Sequence, residues 1–468
     1  MHRKDEQGRG DFEDAFSPVP HASGFRMILA LATQNNMHCD HVDISQAFVQ
    51  GDLLPGDGYN GKVYISAPPG YDEDPNYVYQ LRRPLYGMPS AARAWHHTMS
   101  AYLKSQGCKL VGFERSMWTV VKEGHVILIT AHIDDFIIAC ADRTVLDEFR
   151  TALLQRFEGT YEGEVHTYLG CEIMRELEAG KTLLSQKHYA EDVLRTYDYW
   201  DCIPALTPMT PGSRLTKEQC DPNPEPAFHR RYRGIVGSLG YLVNMTRPDL
   251  AWSYSELSKY VQNPGKAHMD AAHHVLRYLR GTYDQAIVYE RIDVLANTLW
   301  GWVDSDWAAD LDSRRSHTDY ILMLSSGAVS WKSRRQDCVS LSTAEAEYVA
   351  ASQCGQEVVY LREILGDFGF SPTGPTRVYE DNLACVAMSE NPVRRKYSRH
   401  IDIRRYFVRD LVSMQVLKLV PLRTNLMVAD ALTKSLPAPA HAKHRDVMIG
   451  RVPFCVRTLR PATCVVGG

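Results

Sequence analysis

The sequence predicts a mixed α+β chain of more than one domain, ending in an α/β unit, and three observations carry that reading. The chain has 468 residues, about three times the roughly 150 of an ordinary domain. Two β-rich runs at 126–133 and 136–141 flank an Asp-Asp pair in the manner of a hairpin, whereas other segments space their apolar residues as helices do. Prolines at 204, 208, 211, 222, 224 and 226 stand among glycine and polar residues, which suits a linker better than a packed element.

The elements follow in order. Residues 1–20 are polar and charged and read as a ragged edge. Phe25, Ile28, Leu29 and Leu31 recur at helical spacing, so a helix is expected over 24–34. A strand starting at Cys39 carries Asp43 and turns into a helix by Val49, and a second helix is expected over 85–103. The hairpin follows, completing a domain over 21–203, and 204–228 is the linker. Residues 229–297 read as a helical connection around R-Y-R-G-I-V-G-S-L-G-Y-L, T-R-P-D-L and H-V-L-R-Y-L-R-G-T. The last unit, 298–437, has strands expected at 299–303, 320–325 and 376–379, and 438–468 is a tail.

Bulk composition narrows the function classes. Hydrophobic residues at 44% and charged residues at 23% exclude wholesale disorder. The net charge of −4 is a mild argument against a polyanionic partner. Locally, Arg394, Arg395, Lys396, Arg399, Arg404, Arg405 and Arg409 crowd one stretch, either a phosphate-facing surface or a solvated basic helix. Eleven cysteines with no C-x-x-C pair encode neither a zinc site nor a disulfide framework and point to a reducing, intracellular compartment. The most apolar stretch, 126–140, is short and broken by Asp134 and Asp135, so it cannot cross a bilayer. The first residues contain no apolar signal core.

An Asp-Asp pair at a hairpin tip is by default turn chemistry. Here apolar strands hold the two carboxylates together, where like charges ~4 Å apart repel by about 4 kcal/mol at an effective dielectric near 20. A cation or a shifted pKa must answer that. Asp43, at the end of another apolar strand, supplies a third oxygen donor of the kind Mg²⁺ takes beside substrate phosphates. Phosphoryl transfer uses two such ions about 3.5 to 4 Å apart, one on the attacking and one on the leaving oxygen.

These residues resemble a known family. V-D-I-S-Q-A-F-V-Q-G-D-L from Val42 is similar to the first polymerase motif of copia-type reverse transcriptases, and H-I-D-D from His132 to their aromatic-x-Asp-Asp hairpin. L-Y-G-M-P-S-A-A-R-A-W from Leu85 resembles the motif between the two. The resemblance implies a right-hand polymerase palm and thumb in which Asp43, Asp134 and Asp135 bind the metals. Phe48 would lie under the nucleotide sugar, and Gly87, Met88, Pro89, Ser90 and Ala91 would line the template and nucleotide pocket. His132 replaces a tyrosine of the pattern, and Pro89-Ser90 replaces Lys-Gln. D-F-E-D-A-F-S-P-V from Asp11 resembles a segment that follows basic fingers strands in the family, so an N-terminally truncated chain with incomplete fingers is expected.

A second acidic set lies downstream. Asp304 follows L-W-G-W-V, Glu347 stands in a helical S-T-A-E-A-E-Y-V-A-A, Asp381 comes after the strand R-V-Y in R-V-Y-E-D, and Asp430 stands at the start of A-D-A-L-T-K. Each carboxylate sits at an element's edge beside apolar residues, as an α/β scaffold gathers ligands for two metals and a water nucleophile. W-V-D-S-D-W-A-A-D, S-R-R-S, S-W-K-S-R-R-Q, L-S-T-A-E-A-E-Y, E-D-N, S-R-H-I-D-I-R and V-A-D-A-L-T-K resemble the copia ribonuclease H domain. On that resemblance Asp304, Glu347, Asp381 and Asp430 are the metal ligands, with Asp306 and Glu345 as rivals. Arg394, Arg395, Lys396, Arg399 and His400 would touch nucleic acid, although a lone His at a helix cap is the commoner case. Trp302 and Trp307 read as core, and His96-His97 and His273-His274 as helix surface.

The implied function is an RNA-directed DNA polymerase with ribonuclease H activity of a copia-type retrotransposon. The implied cofactor is Mg²⁺, two ions per site, with Mn²⁺ as a substitute. The implied partners are an RNA template, a DNA primer, RNA/DNA hybrid and dNTPs, in the cytoplasm within a virus-like particle or in the nucleus. No membrane partner is implied, and the sequence carries no signal for oligomeric state. The alternatives are an inactive or domesticated relic that only binds nucleic acid, and a chain that keeps the nuclease alone.

Overall fold

The computed structural model describes residues 20–55, 57, 62–67, 70, 78–390 and 399–452, with the side chains of 399–403 and 405 left out. The segment at Asp11 and the basic cluster Arg394, Arg395, Lys396, Arg399 and His400 therefore lie outside the described residues or side chains. The chain separates into two compact units, the first made of 1–28, 37–165 and 367–369, the second of 29–36, 166–366 and 370–468. This division falls at Val165, upstream of the proline-rich stretch expected to mark it.

The first unit takes the start of α1 (Ala22–Gln34), then β1 (His38–Ile44), α2 (Ala47–Gln50) and a short ribbon of β2 (Tyr64–Ile65) with β3 (Tyr79–Gln80). α3 (Ala91–Ser105), β4 (Lys109–Val111), β5 (Glu114–Lys122), β6 (His125–His132), β7 (Asp135–Cys140), α4 (Arg143–Arg156) and β8 (Gly159–Glu164) follow. Its sheet has the order β4-β5-β6-β7-β1-β8. The expected hairpin is β6–β7. The helix expected over 85–103 starts only at Ala91, because Leu85–Met88 close a turn in which Gly87 sits at φ 93, a conformation that favours glycine. Val42, Ile44, Trp95, Trp118, Ile129, Phe136, Ile138 and Leu146 form the core beneath the sheet and helices.

The second unit opens with β9 (Thr167–Tyr168), β10 (Cys171–Glu176), β11 (Lys181–Ser185) and α5 (Lys187–Thr196). α6 (Pro226–Met245), α7 (Ala251–Ser258) and α8 (Lys266–Thr282) follow, then β12 (Ala286–Glu290), which joins the small sheet β12-β11-β10-β9. Residues 229–297 are thus not wholly helical. β13 (Leu299–Asp306), β14 (His317–Leu324), β15 (Gly327–Arg335), α9 (Thr343–Asp367), β16 (Thr376–Glu380), α10 (Leu383–Glu390), α11 (Arg399–Ser413) and β17 (Leu417–Pro421) build a sheet of order β15-β14-β13-β16-β17. α12 (Asp430–Thr433) and α13 (Ala438–Met448) complete the fold. α13 buries His441, His444, Val447 and Met448, so 438–448 is a packed helix rather than a tail. A core of Leu239, Leu276, Trp302, Ile321, Tyr379 and Leu432 joins helices and sheet.

Beneath α6 to α8 one buried polar cluster pairs internally. Buried Arg247 donates to both carboxylate oxygens of Asp249 at 2.9 and 2.7 Å, and Tyr278 donates to Asp249 at 2.8 Å. Among the described residues, no helix is long and apolar enough to cross a membrane.

Candidate active sites

In the first unit β1 lies between β7 and β8, and its register pairs Asp43 with Asp135 across the antiparallel ladder. Asp134 is the second residue of the β6–β7 turn, and its carbonyl accepts from the Ile44 N–H at 2.9 Å. The backbone thus gathers the three aspartates at one end of the sheet. Gly159 lets β8 approach: a Cβ there would stand 2.4 Å from the Asp43 carbonyl oxygen. Ile133, the first turn residue, has φ 60, a strained choice for a β-branched side chain. The Trp95 indole N–H holds it by donating to the Ile133 carbonyl at 2.6 Å.

Burial first, and then the charges of Asp134 and Asp135, raise the Asp43 carboxyl above its ordinary range, with His41 opposing. The His41 ring lies 3.1 Å from Asp135 Oδ1. Phe48, half-buried on α2, packs its ring 4.7 Å from that of Tyr86. The Tyr86 hydroxyl is in turn raised by burial and by Asp134 and Asp43, so Phe48 and Tyr86 stand beside the acidic end. Met88, Ser90 and Ala91 are buried at the start of α3, and the Ser90 hydroxyl has no hydrogen-bond partner. Asp40, on β1 and fully buried, is bound by Arg143 and Arg150 of α4.

In the second unit the register does the same work more tightly. Trp302 on β13 is level with Tyr379 on parallel β16. Two residues further along stand Asp304, still on β13, and Asp381, one residue past the end of β16. Glu347 comes from the start of α9, and Asp430 begins α12. One carboxylate oxygen from each of Asp304, Glu347 and Asp381 lies within 4.8 Å of the others, the one group of three so close among the described residues. Asp43, Asp134 and Asp135 do not meet that spacing. Asp430 reaches the cluster electrostatically: it is the first charge, after burial, to raise Asp304, while Lys434 lowers it. The Lys434 ammonium stands 2.5 Å from Asp430 Oδ1, and the Thr433 hydroxyl donates to Asp304 at 3.2 Å.

Burial, then Glu380 and Asp304, push Glu347 up to about 11, and burial with Asp381 brings Glu380 to about 8. One buried oxygen of Glu347 and one of Glu380 have no hydrogen-bond partner. Oxygen-only donors, crowded charge and an orphaned carboxylate oxygen fit a divalent cation.

The rivals separate. Glu345 accepts from the Leu341 N–H at 3.0 Å at the start of α9, where an acid caps the helix. Asp306 lines a cavity of about 480 Å³ with Arg214, His317 and Lys434. Trp302 is core as expected, but Trp307 is 46% exposed and its indole N–H donates to the Ser340 carbonyl. His96, His273 and His274 are half-buried, with His96 and His274 bonded to the carbonyls of Arg115 and Thr207, rather than surface groups. Sequence reasoning passed over Glu380, although it stands in the E-D-N motif. It also passed over Asp319, which carried no motif and is fully buried as the register partner of Asp304.

Residues 5–211 match the family described as reverse transcriptase (RNA-dependent DNA polymerase). The chain is 33% identical over 444 residues to a retrovirus-related Pol polyprotein from transposon TNT 1-94 of Nicotiana tabacum, covering 92% of this chain and 32% of that one. Two Arabidopsis thaliana Pol polyproteins, from transposons RE2 and RE1, are each 33% identical over 446 residues, covering 95% of this chain and 30% of theirs. The chain thus spans about a third of the length of these relatives. The order of its acidic motifs, the matched family and this sustained identity agree: the chain belongs to the copia-type retrotransposon Pol polyproteins, in their reverse transcriptase region.

Proposed function

We propose that the chain carries two metal-dependent phosphoryl-transfer sites, an RNA-directed DNA polymerase in the first unit and a ribonuclease H in the second. In this reading the six-stranded sheet is the palm, β9–β12 with the helices α5 to α8 are thumb and connection, and the five-stranded sheet is a ribonuclease-H-like domain. The observation that carries it is the convergence of Asp304, Glu347 and Asp381 within 4.8 Å, the first two buried and Asp381 half-buried, with an oxygen of Glu347 left unpartnered.

Bound Mg²⁺ would activate the attacking oxygen and neutralise the leaving one. The chain's own groups do the rest. Asp304, Glu347, Asp381 and Asp430 would hold the ions, with Thr433 fixing one Asp304 oxygen and Lys434 balancing Asp430. Water then attacks phosphorus of the RNA strand, and the 3′-oxygen of the preceding nucleotide leaves. At the other site Asp43, Asp134 and Asp135 would serve the attack of a primer 3′-hydroxyl on the α-phosphorus of a dNTP, with loss of pyrophosphate. Phe48 would lie beneath the sugar, and Gly87 to Ala91 would line the nucleotide pocket.

A second reading, a nuclease without polymerase, is favoured by the looser spacing of Asp43, Asp134 and Asp135. Incubating the purified chain with an RNA/DNA hybrid and with a primed template, each with and without Mg²⁺, separates the two. Both activities support the two-site reading. Cleavage alone supports the second reading, and neither activity refutes both.

A further inference from the structure

α3 has two working faces. One buries Ala94, Trp95, Met99 and Leu103 within its unit. The other presents Arg93, His96, His97, Ser100 and Lys104 to a cavity of about 570 Å³, which Arg115 and Trp118 of β5 also line. That lining contains three permanent cations and two imidazoles, and no carboxylate. Among the described residues, Arg93, Lys104 and Arg115 have no carboxylate ion-pair partner. Uncompensated charge of one sign gathered in a concave surface focuses an attractive potential for the opposite sign. His96 registers that potential: burial first, and then the charges of Arg115, His97 and Lys104, hold its ring below the ordinary histidine value, against a bond to the Arg115 carbonyl.

A second observation is independent of charge. The Ser100 hydroxyl, the Trp118 indole N–H and the Arg93 Nε are buried and have no hydrogen-bond partner, although Ser100 is 8% exposed and Trp118 0%. An unmet buried donor costs about 1–3 kcal/mol, and three around one cavity form a donor set awaiting acceptor oxygens. Cations and neutral donors together select a phosphate rather than a carbonyl compound. The same helix meets the acidic turn through its opposite face, where the Trp95 indole N–H holds the carbonyl that precedes Asp134.

We propose that this groove binds the phosphodiester backbone of a single nucleic-acid strand leading to or from the polymerase site. The identity of the strand's destination rests on the polymerase reading above, while the binding itself does not. The shared chemistry is phosphate, which a free nucleotide would also supply.

The test is fluorescence anisotropy of a labelled single-stranded DNA on the full chain, without Mg²⁺, over a series of salt concentrations. Lys104→Ala with Arg115→Ala should weaken Kd about tenfold or more and flatten the slope of log Kd against log salt by about 1.4, or about 0.7 for each lost phosphate contact. Lys266→Ala with Lys418→Ala, an equal charge change at two exposed lysines, should shift Kd less than twofold. If the alanine pair fails to fold, Lys104→Gln with Arg115→Gln keeps the stems and repeats the test. Groove variants that bind the strand like the control pair overturn the proposal. So does a groove change that abolishes binding of a mononucleotide and spares the strand. Because binding is read without metal or turnover, an inactive polymerase site leaves this result intact, and a failed groove leaves primer extension to its own assay.

Discussion

The Trp95 indole N–H donates to the carbonyl of Ile133 at 2.6 Å, and Ile133 holds a left-handed φ of 60 immediately before Asp134. A buried tryptophan thus sets a strained turn whose next two residues are the acidic pair. Trp95→Phe keeps most of the packing and removes the bond. We expect a stability loss of about 1–3 kcal/mol from the unmet carbonyl, read by urea unfolding. Primer extension should fall by more than hybrid cleavage does. Equal losses in both would mean that the turn does not depend on this bond.

The crowded carboxylates of the second unit make a prediction about pH. Glu347 and Glu380 are raised in the folded chain to about 11 and about 8, chiefly by burial. Between the unfolded value near 4.5 and the folded one, the native state binds more protons than the unfolded state, so stability falls as pH rises. Without metal, the chain should melt at a lower temperature at pH 8 than at pH 6. Millimolar Mg²⁺ or Mn²⁺ should recover that loss, since a ligand of the native state alone stabilises it by mass action, and its apparent affinity should rise with pH as protons are displaced. Glu347→Gln should abolish the metal-induced rise. A metal effect that survives Glu347→Gln would place the cation elsewhere.

Acid should act through a different group. Burial alone would raise Asp249, but the charge and hydrogen bonds of Arg247 outweigh it and hold the carboxyl at about 2. A depressed folded pKa contributes stability that is present above about 4 and lost as pH falls through about 2, here about 2 kcal/mol. Asp249→Asn should flatten that limb of the acid-unfolding curve. It should also cost about 3–5 kcal/mol at neutral pH, because Arg247 stays buried without its partner. Urea unfolding across this pH range reads both effects.

Phe48 half-packs against Tyr86 at the acidic end of the first sheet. A ring under the nucleotide sugar would clash with a 2′-hydroxyl, so Phe48→Val should raise ribonucleotide use relative to deoxyribonucleotide. The ratio of kcat/KM values reads this whatever fraction of enzyme is active. An unchanged ratio in a folded, active variant returns Phe48 to the core.

Much of this architecture was legible in the residues. The apolar runs around Asp134-Asp135 could only be adjacent strands, and β6 and β7 lie within two residues of where alternation and turn chemistry put them. Asp304 and Asp381 each carried a local signal, an acid at the end of an apolar run, and Glu347 stood within a helical motif. What escaped depended on tertiary partners. α13 reads as a polar tail because its helix is short and rich in His and Ala, yet His441 meets Tyr278 from another helix. β12 pairs with β11 across about a hundred residues, a partnership that no local pattern encodes. Asp319 was invisible because its neighbours, Asp304 and Ser333, come from the strands on either side of it.

If the chain holds two independent sites, a paired assay of two variants confirmed as folded by circular dichroism separates them. Primer extension and RNA/DNA hybrid cleavage are each measured in Mg²⁺ for Asp134→Asn with Asp135→Asn, and for Asp381→Asn. The first variant should lose extension by at least about a hundredfold and keep cleavage within about twofold, as expected when only one set of transition-state contacts is removed, and Asp381→Asn should do the reverse. Either variant abolishing both activities while remaining folded would contradict the independence of the two sites.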